Sequence, residues 1–222
     1  MRRPLLLLLA LLPSLWPAAT ASDFDQRVRR ALGGHGRRTY ADEALVYVPA
    51  AAVYALDLGG AATARDVRRQ TETLVLGFVY TQAMAQGLKR AVGRRRPDGS
   101  DGHSFPSGHT ATAFMGAELL RMECGQRSPW VPIGGYAAAT GTALLRILND
   151  RHWATDVAAG AALGVLGARL AACSQPAVDR WLFGDGERRG LLGPKRKGEH
   201  AVVAPFYNSP SRGGGIALVW TF

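Results

Sequence analysis

Apolar residues recur along most of this chain with the period of an α-helix. Phe24, Val28 and Leu32 share one face of a short amphipathic segment over 23–32, and Gly33, Gly34 and Gly36 end it. Thr39-x-x-Asp42 has the form of a capping box and opens a helix over about 40–57, stopped by Gly59-Gly60. Thr63-x-x-Asp66 repeats the signal for a longer helix to Val92, with Gly93 as its stop. After a loop, the Ala-rich run from Ala111 to Leu120 predicts a helix over about 108–123. Another follows Pro129 and Pro132 and ends near Leu148. Asn149-Asp150 turns the chain into a last helix from about Trp153 to Ala172. The expectation is an all-α bundle of five to six helices in a domain spanning 22–183.

The two ends break this pattern. Residues 184–200 are Gly-rich and charged and read as a linker. Ala201 to Tyr207 and Gly215 to Phe222 then flank Asn208-Ser-Pro-Ser-Arg-Gly-Gly214, the form of a hairpin, with Ile216, Leu218, Trp220 and Phe222 alternating on one face. Residues 184–222 are therefore expected to form a linker and a β-hairpin appendage packed on the bundle. At the other end, Arg2 and Arg3, the apolar Leu5 to Leu12 and the small residues Ala19-Thr20-Ala21 read as a signal peptide over 1–21, cleaved before Ser22.

A membrane span needs about 20 mostly apolar residues. The charge-free runs cover 16 residues from Thr73 to Leu88, 18 from Ser128 to Leu145 and 12 from Val157 to Ala168, and the mean hydropathy is −0.02. These values favour an exported bundle, periplasmic or resting on the periplasmic face of a membrane, with an integral bundle as the alternative. Removing Arg2 and Arg3 from the 27 basic residues leaves 25 against 17 acidic ones, a net charge of about +8. Lys89, Arg90, Arg94, Arg95 and Arg96 concentrate part of it. Such a surface attracts phosphorylated substrates and anionic membranes. Export and the lack of a nucleic-acid motif argue against nucleic acid as partner; oligomeric state is not legible. Cys124 and Cys173, the only cysteines, could form a disulfide in an oxidising compartment or stay as core thiols.

The chemistry concentrates in three clusters. His103-Ser-Phe-Pro-Ser-Gly-His-Thr110 puts Ser107 at a helix N-cap and Gly108 where a ligand can approach backbone N–H groups. Upstream lies Lys89-x6-Arg96-Pro97, and downstream Arg146-x5-His152-x3-Asp156. Lys89, Arg96 and Arg146 gathered in one pocket would repel one another unless an anion sat between them. His152 and Asp156, four apart, share a helical face, so the carboxylate can hold the proton on one ring nitrogen and leave a lone pair on the other. That pairing makes a nucleophile of His152, with His109 as acid for the leaving oxygen and then base for water. His35, His103 and His200 show no metal-ligand spacing, so neither metal nor other cofactor is implied.

These residues resemble the type 2 phosphatidic acid phosphatase and vanadium haloperoxidase superfamily, whose signature is Lys-x6-Arg-Pro, Pro-Ser-Gly-His and Ser-Arg-x5-His-x3-Asp. The resemblance covers about residues 42–172. It implies the helical bundle of the acid phosphatase and haloperoxidase type and a covalent phosphohistidine mechanism. By that likeness Lys89, Arg96, Ser107, Gly108 and Arg146 bind phosphate, His109 is the acid, His152 the nucleophile and Asp156 its partner. Leu145 stands where the family usually has Ser, and the interval from Pro97 to Pro106 is short for a substrate-selecting loop.

The expected function is a metal-independent phosphatase acting on phosphomonoesters or diphosphates, of lipids such as phosphatidic acid or isoprenyl diphosphates, or of small soluble esters. One alternative is a vanadium-dependent haloperoxidase, in which the same cradle holds vanadate. The other is a non-catalytic protein that binds anionic lipid through its basic surface. An intact His152–Asp156 pair disfavours the latter, because binding needs only cations.

Overall fold

The computed structural model of the chain describes residues 22–32, 39–58, 67–126 and 128–183, and two strands near the C-terminus. The predicted signal peptide, the Thr63-x-x-Asp66 signal and most of the linker lie outside the described residues. The chain divides into two compact units, one ending at Pro176 and one beginning at Ala177.

Seven helices are present among the described residues: α1 (Asp23–Leu32), α2 (Ala41–Leu45), α3 (Val48–Leu58), α4 (Val67–Val92), α5 (Gly108–Cys124), α6 (Trp130–Leu148) and α7 (Ala154–Phe183). The count exceeds the expected five to six because the segment over 40–57 is two helices. Pro49 has no N–H for the Leu45 carbonyl and its ring crowds that oxygen, so the chain turns at Val46–Tyr47 and restarts. The Thr39-x-x-Asp42 signal is also corrected. The Thr39 hydroxyl accepts from Ala41 N–H, but Tyr40 is the N-cap residue and makes no side-chain bond, and the Asp42 carboxylate turns elsewhere. At the other end of the chain α7 runs on through Pro176 to Phe183, well past Ala172.

α5 is the central helix, packed against α3, α4 and α6. Thr110, Ala111, Thr112, Ala113, Met115, Ala117, Leu119 and Leu120 are all buried, as expected of a helix enclosed on most sides. α7 is brought against it by small residues. A Cβ at Gly160 would lie 2.5 Å from the Ser107 carbonyl oxygen, and one at Gly164 2.2 Å from that of Ala111. The Gly-x-x-x-Gly stripe thus sets the distance between the starts of α5 and α7, where the three clusters meet. Gly164→Ala is expected to destabilise the protein by about 1–3 kcal/mol, because backbone rather than a movable side chain stands in the way. Gly134→Ala, where a Cβ would meet nothing within 4 Å, should be neutral or slightly stabilising. Denaturation midpoints of the two variants check this.

α6 and α7 are long and apolar enough to cross a membrane. Large apolar side chains face outward on several helices, among them Phe78 and Val79 on α4, Trp130 and Ile133 on α6, and Trp181 on α7. Cys124 is buried, Cys173 is exposed and both are free thiols, so the disulfide alternative is set aside. In the second unit, β1 (His200–Asn208) and β2 (Gly213–Thr221) pair antiparallel, with Ala201 opposite Trp220 and Phe206 opposite Gly215.

Candidate active site

Each cluster sits at a helix end. Lys89 is in the last turn of α4, which Gly93 closes with a φ of +63° that favours glycine. Ser107 caps α5, Arg146 lies in the last turn of α6, and His152 and Asp156 flank the start of α7.

His152 is buried, and its Nδ1 stands 2.8 Å from the backbone oxygen of Ser104. A carbonyl oxygen can only accept, so Nδ1 carries the proton and Nε2 keeps its lone pair. The direct bond to Asp156 expected from the sequence is not made: the nearest carboxylate oxygen is 3.7 Å from Nδ1. The Asp156 oxygens are taken by other donors. Oδ1 accepts from Arg94 at 2.7 Å, while Oδ2 accepts from Trp153 N–H at 2.9 Å and from the Ser104 hydroxyl. Burial, opposed by Asp156 and reinforced by Arg146 and Lys89, pushes the His152 imidazole down to about 4. It is therefore neutral at physiological pH.

The cations surround the same place. Burial, with Arg96 adding, pushes the Lys89 ammonium down to about 8, and its Nζ donates to the His103 carbonyl at 2.8 Å. Arg96 Nε donates to Asp101 at 2.8 Å, in the short loop between Pro97 and Pro106. Arg146 is buried and paired with Asp42, which also accepts from Asn149 Nδ2 at 3.3 Å. These acids take only part of each guanidinium's five N–H groups. His109 lies in the first turn of α5, and burial, then Arg146, hold its imidazole below the ordinary value. It lines a cavity of about 150 Å³ with Thr39, Tyr40, Glu43, Arg146 and Arg151.

Ser107 takes the expected cap position. Its side chain is fully buried, with Oγ 3.5 Å from Thr110 N–H and 2.9 Å from Thr110 Oγ1, so the hydroxyl serves the cap. At Gly108 a Cβ would meet no protein atom within 4 Å, so internal packing does not require a glycine there. His103 is exposed, in keeping with a surface loop.

Four residues escaped the sequence reading. Ser104 acts through a backbone oxygen, which no residue type signals. Asp42 was read as a capping residue. Arg94 was counted among surface cations but is 1 % exposed. Asp25, also 1 % exposed, did carry a signal, because Ser22-x-x-Asp25 is a capping box in which Ser22 Oγ accepts from Asp25 N–H at 3.1 Å.

The sequence profile of the PAP2 superfamily matches residues 72–180. Over 91 residues the chain is 50% identical to a lipid A 1-phosphatase of Porphyromonas gingivalis, covering 41% of this chain and 20% of that one. Over 144 residues it is 32% identical to a lipid A 1-phosphatase of Rhizobium etli, covering 51% of this chain and 60% of that one. The chain thus spans less than two thirds of the length of these curated relatives. Among solved structures, a transmembrane PAP2-type phosphatidylglycerolphosphate phosphatase of Bacillus subtilis superposes with a TM-score of 0.56 at 22% identity, covering 82% of this chain and all of that one, a likeness of fold. That profile runs through Lys89, Arg96, Ser107, His109, Arg146, His152 and Asp156, so residues 72–180 carry the match to the PAP2 superfamily.

Proposed function

We propose that this protein is a phosphatase that releases inorganic phosphate from a phosphorylated lipid through a phosphohistidine on His152. The observation that carries the reading is a buried neutral histidine whose Nδ1–H is committed to a carbonyl, set among Lys89, Arg146 and the N-terminus of α5. In this reading Lys89, Arg96, Arg146 and the N–H groups at Gly108 hold the phosphoryl oxygens. The Nε2 lone pair forms the bond to phosphorus as the bond to the leaving oxygen breaks. His109 gives that oxygen its proton, then takes one from the water that cleaves the P–N bond.

The cavity beside His109 is where the leaving group would sit. Its lining by Thr39, Glu43 and Arg151, with Tyr40 at 76 % exposure, suits a hydroxylated, sugar-like group better than an acyl chain. Together with the relatives named as lipid A 1-phosphatases, this favours a phosphate on a saccharide lipid. Such a substrate is embedded in a membrane, and α6 and α7 suit a bundle that spans it with the site at one face. Export, which would put that face in the periplasm, belongs to the same proposal.

The test is phosphate release by the full chain in detergent from lipid A, phosphatidic acid, an isoprenyl diphosphate and p-nitrophenyl phosphate, with and without vanadate. Release fastest from lipid A and blocked by vanadate is expected. Vesicle binding without release would support the lipid-binding alternative. Bromide oxidation by the vanadate-loaded protein would support the haloperoxidase.

With p-nitrophenyl phosphate, whose phenolate leaves without a proton from His109, the pH profile of kcat/KM should be bell-shaped. His152 must be neutral to attack, so the rate falls as pH drops through about 4. Lys89 must be charged to hold phosphate, so it also falls as pH rises through about 8. Lys89→Arg, which does not titrate in this range, should move the alkaline limb upward. An unmoved limb would assign it to another group.

A further inference from the structure

α1 presents an unusual burial pattern. Its apolar Phe24 and Leu32 remain 60 % and 42 % exposed, and its one buried residue is Asp25. What the helix delivers to the interior is a carboxylate. Asp25 Oδ2 accepts from Arg94 at 2.6 Å, and Thr155 donates its N–H to Oδ1 at 2.9 Å and its hydroxyl to Oδ2 at 2.9 Å. Arg94 reaches the other way, to Asp156 Oδ1 and Thr155 Oγ1, each at 2.7 Å. Trp153 is flanked by the Arg29 and Arg94 guanidiniums, each 5.7 Å from its ring centroid, and Arg29 is anchored on Asp150 at 2.9 Å.

We propose, resting on His152 as nucleophile, that Asp25 and Arg94 are positioning residues for phosphoryl transfer. The buried chain Asp25–Arg94–Asp156 orients the Asp156 carboxylate and leaves a net negative charge behind the imidazole.

Burial of a guanidinium requires a partner, and one carboxylate would satisfy that need. Arg94 has two. With Asp156 alone the pair would be neutral, and His152 would face a dipole. Asp25 adds one negative charge that Arg94 cannot cancel. Burial raises its carboxyl, but the bonds from Thr155, Arg94 and Ser22 outweigh this and hold it below the ordinary value, so it stays charged.

When Nε2 bonds to phosphorus, the ring gains positive charge while Nδ1–H stays on Ser104. The charged groups facing it are Lys89 from α4, Arg146 from α6 and Asp156 from α7, with Arg94 and Asp25 behind Asp156. Two of the three nearest are cations that oppose the developing charge. The surplus negative charge offsets them.

Asp25→Asn in the full chain removes the charge and keeps the shape. Expected are a kcat lower by about tenfold, KM within about twofold, slower phosphohistidine formation in rapid quench, and an acid limb shifted to lower pH. Ser22→Ala loosens the same helix without altering charge and should keep the wild-type acid limb. Wild-type kcat and acid limb in Asp25→Asn, or the same changes in Ser22→Ala, would overturn the proposal. Should Asp25→Asn fail to fold, Arg94→Lys replaces it. Lysine keeps the charge but lacks the fork that spans both carboxylates, so kcat should fall with KM unchanged, and a kcat within about twofold of wild type overturns the proposal. A wild-type protein that turns over without phosphohistidine on His152 refutes the nucleophile assignment and this inference with it.

Discussion

Replacement of His152 by alanine is expected to abolish phosphate release from every substrate, by on the order of 10⁴-fold or more, and to remove the covalent intermediate altogether. The alanine variant keeps the phosphate cradle and should still bind vanadate or inorganic phosphate. What it loses is the lone pair on Nε2, and none of Lys89, Ser104 and Ser107 supplies one in its place. Lys89 is committed to the His103 carbonyl, and the Ser104 and Ser107 hydroxyls are bonded to Asp156 and Thr110. The measurement is single-turnover rapid quench with phosphate-labelled substrate. Wild type should yield an acid-labile, base-stable phosphoprotein and the variant none. A phosphoprotein that persists in His152→Ala would place the nucleophile elsewhere.

His109→Ala should separate substrates by leaving group. An alkoxide or sugar oxygen leaves poorly without a proton, so release from a lipid phosphate should fall about 10²–10⁴-fold. p-Nitrophenolate leaves unaided, and its phosphorylation step should suffer far less. The second step still lacks the base that activates water. The variant should therefore give a burst of nitrophenol followed by slow turnover, with phosphohistidine accumulating. The position of His109 fits this division. It lines the cavity beside Arg146 in the first turn of α5, whereas His152 is buried and does not line that cavity. Its lowered basicity in the free protein comes from burial and from Arg146, and a bound phosphate, by countering that cation, would restore its proton. Equal losses for both leaving groups without a trapped intermediate would remove His109 from the acid role.

Much of this architecture could be read from local pattern. The helices over 67–92, 108–124 and 130–148 follow the predicted segments closely, because apolar periodicity, the Ser107 cap and the Gly93 stop act within a few residues of where they stand. Misreadings arose where a local signal had a remote competitor. Asp42 has the spacing of a capping residue, but Arg146, 104 positions away, binds its carboxylate instead. The last helix passes its expected end near Ala172, and α7 continues through Arg169 and Pro176 to Phe183. A helix tolerates one arginine whose Nε, at 2.9 Å, reaches the buried Glu118 of α5.

The sequence by itself determined the helical class, the places where the helices end and the residue types gathered at those ends. Caps, breakers and spacing are properties of neighbours along the chain. Tertiary structure alone decided which buried acid holds which cation: Asp42 with Arg146, and Asp25 and Asp156 on either side of Arg94. It also decided that His152 gives its proton to a backbone oxygen rather than to Asp156. Pairing of buried charges depends on which chain ends a glycine stripe lets come together, and a backbone carbonyl is the same at every residue, so neither leaves a mark in the order of side chains.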